Sequence, residues 1–297
     1  MNTSPADPLP TFVLVGVEKA ATTWLWEQVR QHPDVYLPPW RSELNFFDLN
    51  YERGLAYYRS FFADYNGERV IGDFTPTCMH QPETAGRIRR LLPGAKILLS
   101  LREPVERSYS DYLHITRNTD LTVSFETLME RPDFVAKSLY ARNLEPWLEL
   151  FGRERLHFII YEQIRRDPSA ILADLFRFLD IDDGFHPAGG STRANPYVEP
   201  RHPGFYRLLM KTLTRLRRIN HPVVDRSIEA VRRTRLKSLL ARESSKPELP
   251  VEVRRRYQHL FSEDIRILST LTGIDFTAWW LPDTSGHRPP GTESSPQ

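Results

Sequence analysis

Two spacings of apolar residues alternate along the chain. "TFVLVGV" (11–17) is a short run rich in β-formers, as expected of a strand buried on both faces. "RVIGDF" (69–74), "AKILLSLR" (95–102) and "RLHFIIYE" (155–162) repeat that signature. Between them the spacing changes to three and four. In "TTWLWEQVRQH" (22–32), Trp24, Leu25, Gln28 and Val29 recur at helical intervals, with Thr22 or Thr23 available as a cap. "PETAGRIRRLLP" (82–93), "PVERSYSDYLHITR" (104–117) and "PSAILADLFRFLDI" (168–181) each open on proline, a favoured first-turn residue. Helices are also predicted over 54–65, 124–131 and 138–151, and "DVYLPP" (34–39) reads as a short extended piece.

Strand runs alternating with helical runs predict an α/β fold. The expected form is a three-layer α/β/α domain around a mostly parallel sheet. Such sheets bind ligands at the carboxyl ends of their strands. A late helix (249–273) ends at Gly273, a natural C-cap, and "DFTAWW" (275–280) closes the fold. The predicted organisation is an N-terminal arm (1–10), a single domain (11–282) and a Ser/Gly/Pro-rich disordered tail (283–297).

Composition narrows the function. A formal net charge of +2 gives no field that argues for nucleic acid as a partner. One cysteine, Cys78, excludes an internal disulfide and any cysteine-based zinc cluster. "MNTSPADPLP" lacks the pattern of a signal peptide, and no apolar run is long enough for a transmembrane segment. A cytoplasmic, reducing setting is the simplest expectation.

The candidate chemistry lies at strand ends. "LVGVEKAATTWL" (14–25) leads from a strand through a tight loop into a helix, an arrangement that offers backbone N–H groups and a helix dipole to an anion. Lys19 adds a positive charge, and Thr22 and Thr23 add hydroxyls. The Walker A pattern requires lysine directly before Ser/Thr. Here Lys19 comes three residues after Gly16, which argues against a small-molecule or nucleotide kinase. Without a ligand, the same stretch is a strand–helix turn with a core tryptophan.

The order Gly-x-x-Lys-x-x-Thr-Thr-Trp resembles the 5′-phosphosulfate loop of sulfotransferases that use 3′-phosphoadenosine 5′-phosphosulfate (PAPS) and release 3′,5′-ADP (PAP). The resemblance implies a P-loop nucleotide-kinase-like fold. It also implies that Lys19 reaches the bridging oxygen, that Ala20, Ala21, Thr22 and Thr23 hold the 5′-phosphate, and that Trp24 stacks on adenine. The family has glycine where this chain has Ala21, a change tolerable if the backbone angle there stays negative. "LLSLREPVERSYSDYLH" (98–114) resembles the family's 3′-phosphate site, which implies that Arg102 and Ser110 bind that phosphate. Arg107 and Tyr109 read instead as packing or solvent residues. No metal is expected.

"LPPWRSELNFFD" (37–48) resembles the segment of heparan-type members that carries a glutamate base. This puts Glu43 as catalytic base, with Arg41, Phe46 and Phe47 around it to raise its pKa. His80 and His114 are the rival bases, because cytosolic members use histidine. In "GDFTPTC" (72–78), Phe74 stands where heparan-type relatives often have lysine, implying an acceptor less anionic than heparan. The late loop 189–203 offers Arg193, then Arg201, to the 3′-phosphate, and the basic stretch 207–237 reads as a solvated helix face. The resemblance spans about residues 11–282. It implies in-line sulfuryl transfer to a hydroxyl of a small-molecule or carbohydrate acceptor; the alternatives are a nucleotide or small-molecule kinase of the P-loop fold and a non-catalytic PAP-binding protein.

Overall fold

The computed structural model describes residues 8–40, 43–119, 121–189 and 246–281, with short pieces between 198 and 244. Strands β1 (Phe12–Gly16), β2 (Val35–Tyr36), β3 (Val70–Phe74), β4 (Lys96–Leu101) and β5 (Leu156–Ile160) form one sheet in the order β2–β3–β1–β4–β5. Every pairing in it is parallel. The extended piece expected at 34–39 supplies the edge strand β2. A separate antiparallel pair joins β6 (Val198–Pro200) to β7 (Ala241–Glu243).

Because side chains alternate along a strand, the sheet sends residues into two cores. Val13, Val15, Ile71, Ile97, Leu99, Phe158 and Ile160 enter the first. Phe12, Leu14, Val70, Phe74, Leu98 and Ile159 enter the second. Helices α1 (Thr22–Val29) and α10 (Pro168–Phe178) cover the second face through Trp24, Leu25, Val29, Leu172 and Phe176. The first face is covered by α4 (Thr84–Leu91), α5 (Pro104–Asn118), α6 (Phe125–Met129), α8 (Tyr140–Phe151) and the long α11 (Val251–Thr272), with the short α12 (Thr277–Trp280) at the end. The three expected layers are present. Further short helices are α2 (Phe46–Leu49), α3 (Gly54–Arg59), α7 (Pro132–Ala136) and α9 (Tyr161–Ile164).

Several ends form as the sequence predicts. Pro104 begins α5, and the Glu103 carboxylate caps it by accepting from Val105 N (3.2 Å) and Glu106 N (2.7 Å). Gly273 ends α11 with φ 73°, as its C-cap role requires. The helix predicted at 54–65 is shorter, because α3 passes into a 3-10 turn over Ser60–Phe62. Threonine does not cap α1. Ala21 is the N-cap residue, and both threonines lie inside the first turn.

Among the aromatics between 46 and 62, Phe46, Phe47, Tyr58, Phe61 and Phe62 are core residues and Tyr57 is half-buried. Phe46 stacks on Tyr58 with ring centroids 4.2 Å apart. None of the helices formed by described residues is long and apolar enough to cross a membrane.

Candidate active site

Chain direction fixes where a ligand can enter. From β1 the chain turns toward β2 on one side of the sheet, and from β4 it turns toward β5 on the other. The carboxyl ends of the adjacent strands β1 and β4 therefore flank a crevice, the usual ligand position in an open parallel sheet. The loop 17–21 lies at one lip and Arg102 at the other.

Gly16 is required at the loop's entry. A Cβ there would sit 2.6 Å from Met79 Cβ, on the turn that follows β3. Two hydrogen bonds then pin the loop to β4. Val17 N donates to Ser100 O (2.7 Å), and Ser100 Oγ donates to Ala20 O (2.5 Å). Lys19 and Ala21 are both left-handed, with φ 72° and 62°. The negative angle expected at Ala21 is therefore not adopted: its backbone takes the conformation that glycine would occupy without strain. Alternating handedness turns successive N–H groups inward as an anion-binding concavity. Among the described residues, the N–H groups of Glu18 through Thr23 have no hydrogen-bond acceptor, and neither hydroxyl of Thr22 and Thr23 is engaged. Six consecutive unpaired donors thus end at a helix start.

Arg102, at the end of β4, joins this lip to the next. Its Nη1 donates to Lys19 O (3.3 Å), its Nη2 pairs with Glu106 Oε2 (2.9 Å), and its guanidinium lies 4.4 Å from the centroid of the Tyr161 ring. Ser110, two turns along α5, is half-buried with its hydroxyl unengaged among the described residues. Trp24 is 7% exposed and packed in the second core, so it offers a ligand little more than an edge.

A buried charge network underlies Lys19, and most of it was not evident from the sequence. Lys137 Nζ bridges Glu18 Oε1 (3.0 Å) and Asp111 Oδ2 (3.5 Å). Arg107, fully buried, holds Asp111 Oδ2 (3.4 Å) and donates to Ser138 Oγ (2.5 Å). Burial alone would raise the Glu18 pKa, but Lys137, Lys19 and Arg107 outweigh it and hold the carboxyl at about 2. Burial lowers the pKa of Lys19, and Glu18, Asp111 and Glu43 act against that to favour its ammonium. Arg107 and Asp111, four apart on one helix, were the one local signal for this network.

Glu43 is exposed, and its charge reaches Lys19. The aromatic sheath expected around it does not form, because Phe46 and Phe47 turn into the core. Arg41, Arg193, Arg201 and most of 207–237 lie outside the described residues. Both histidines border the same charges. His80 is half-buried, and its ring has no hydrogen bond among the described residues. Burial lowers its pKa, and Lys137 and Arg107 add to that. His114 is held at about 4 by its protein surroundings, Lys19 and Arg117, and its Nδ1 meets Asn118 Nδ2 at 3.1 Å. Both shifts favour the neutral imidazole. Phe74 is 3% exposed and edge-on to Phe12 in the second core. It lines no cleft, so the inference drawn from it about acceptor charge fails.

Comparison with known proteins gives the same picture. Residues 9–188, more than half of the chain, match the model of the sulfotransferase domain. Human heparan sulfate glucosamine 3-O-sulfotransferase 6 is 33% identical over 181 residues, covering 58% of this chain and 52% of that protein. The membrane-associated sulfotransferase kil1 of Dictyostelium discoideum is 26% identical over 267 residues, covering 59% and 56%. The chain thus spans about half the length of the curated relatives it matches. A crystal structure of a sulfotransferase from Alicyclobacillus acidocaldarius superposes with a TM-score of 0.67 at 24% identity, covering 92% of this chain and 99% of that one. On this match, and on the loop and sheet described above, the chain belongs to the sulfotransferase domain family.

Proposed function

We propose that the protein transfers a sulfuryl group from PAPS to a hydroxyl of a glycan or small-molecule acceptor. The observation that carries this reading is the run of six unpaired N–H groups from Glu18 to Thr23, with Lys19 within it and Arg102 bonded to its backbone. These groups fit the donor. The loop amides with Thr22 and Thr23 would hold the 5′-phosphate, Arg102 and Ser110 the 3′-phosphate, and the edge of Trp24 would meet the adenine.

PAPS supplies the sulfuryl group. Glu43 takes the proton of the acceptor hydroxyl as its oxygen bonds to sulfur. The bond from sulfur to the bridging oxygen breaks in line, and its electron pair stays on the 5′-phosphate, where Lys19 compensates the charge. Glu18 and Asp111 favour the ammonium form that this role needs. His80 and His114, whose shifts favour the neutral ring and which border the same charges, are the second reading for the base.

Curated relatives whose names specify heparan sulfate support a glycan hydroxyl as acceptor. The single cysteine, Cys78, buried and free, supports a cytoplasmic setting. The test is incubation with PAPS and a panel of hydroxyl acceptors, read by mass spectrometry for added sulfate. A melting temperature unmoved by PAP far above micromolar concentration would overturn the reading.

A further inference from the structure

Glu18 and Lys19 are consecutive in the loop, yet their charged ends do not meet. Among the described residues, no carboxylate lies in ion-pair contact with the Lys19 ammonium. Glu18 Oε1 instead accepts from Lys137 Nζ at 3.0 Å, the carboxylate's one hydrogen bond among the described residues. Lys137 is held in place from both ends. Its Nζ also lies 3.5 Å from Asp111 Oδ2, which the buried Arg107 Nη1 approaches at 3.4 Å. Ser138, the next residue in the chain, is fully buried and accepts from Arg107 Nε (2.5 Å). Asn143 Nδ2 donates to the carbonyl of Ala136, the residue before it (2.8 Å). Two carboxylates and two cations thus alternate in the order Glu18, Lys137, Asp111 and Arg107, and their formal charges cancel. Lys19 stands outside that balance. Glu43 acts on it through space, without ion-pair contact.

A half-buried carboxylate stripped of its partner is costly until another cation reaches it. For Glu18 the next cation in strength after Lys137 is its own neighbour, Lys19. We propose that Lys137 is a positioning residue that draws the Glu18 carboxylate off Lys19, so that the Lys19 ammonium stays free for the anion entering the loop. At its present distance Glu18 favours the charged form of Lys19; in contact it would occupy that charge. The inference rests on the donor reading above and adds to it a residue from the helical layer.

The test follows the titration of Lys19 by NMR in the full chain. The sequence has six lysines, so carbon-13 labelling of lysine gives few Cε signals, and Lys19→Met identifies the one to follow. Glu18, Asp111, Glu43 and Arg107 act on Lys19, and His114 borders it; of these only Glu18 is altered in the variants compared. Lys137→Met moves the Lys19 midpoint up by about one pH unit or more, as a carboxylate brought into contact does. In the Glu18→Gln background the same substitution moves it by less than half as much. Lys137→Arg keeps the cation and leaves the midpoint near that of the wild type. If Lys137→Met does not fold, Lys137→Gln is read in the same way, with a smaller rise. An equal rise with and without the Glu18 carboxylate, or no rise at all, would overturn the positioning role while leaving the donor reading intact. PAP added to the wild type shifts the Lys19 signal. A signal that PAP leaves unmoved would overturn the donor reading, on evidence separate from the titrations.

Discussion

Lys137 Nζ stands 3.0 Å from Glu18 Oε1, joining residues 119 apart in sequence. Lys137 follows α7, and Glu18 sits in the loop directly before Lys19. The pair therefore ties the helical layer to the loop that carries the proposed chemistry. Its effect on stability has a definite sign. Glu18 falls from an ordinary 4.5 to about 2 on folding, so its contribution is fully present above about pH 4.5 and is lost as pH falls toward 2. Glu18→Gln is expected to destabilise the protein more at pH 6 than at pH 3. Urea denaturation at the two pH values measures the difference, and an equal cost at both would refute it.

Lys19→Met removes the charge proposed to face the leaving oxygen while keeping the loop amides. Turnover is expected to fall by about 10²–10³-fold, the usual cost of losing one such group. PAP affinity should change much less. Steady-state kinetics beside calorimetry separates the two effects.

Glu43→Gln should preserve PAP binding and lower kcat by about 10²–10⁴-fold, the range for general-base removal. His80→Ala and His114→Ala should each cost far less. If a histidine variant shows the large loss instead, the base is that histidine.

Ala21→Gly is expected to stabilise the fold. A left-handed alanine costs about 1–2 kcal/mol, and glycine's extra unfolded-state entropy returns about 0.4–1 kcal/mol of that. The net gain is about 0.5–1 kcal/mol, a rise of about 1–4 °C in Tm for a domain of this size. A lower Tm would mean that Ala21's packing against the second core outweighs its strain.

Asp264, on α11, accepts from Ala141 N (3.0 Å) and Arg142 N (3.3 Å) and so caps α8 from outside. Asp264→Ala should destabilise by about 1–2 kcal/mol, as loss of a cap does. Asp264→Asn should recover part of this. Chemical denaturation of both variants checks it, and the sulfotransfer rate per folded molecule should be unchanged.

What could be read in the sequence was local. The apolar runs at 12–16, 70–74, 96–101 and 156–160 identify their own strands, because burial on both faces leaves little room for polar residues. Lys19, Thr22 and Thr23 were legible as members of a strand–loop–helix junction, whose unpaired N–H groups follow from its own geometry. Three other features depend on distant partners. The left-handed turn at Ala21 arises where Ser100 and the first turn of α1 fix the loop, and nothing in an alanine announces it. Phe46, Phe47 and Phe74 look the same in a cleft as in a core, and only the packing of α3 and β1 decides. Lys137 has no local reason to matter, since Glu18 and Asp111 reach it from other segments.

The bond from Arg102 Nη1 to Lys19 O joins the end of β4 to the loop 17–21. The two proposed phosphate subsites would thereby be mounted on one frame, unable to drift apart independently. Such a frame is a gauge of length as well as a source of charge. Adenosine 2′,5′-bisphosphate carries the same phosphates as PAP at a different spacing, so it should be refused on distance alone.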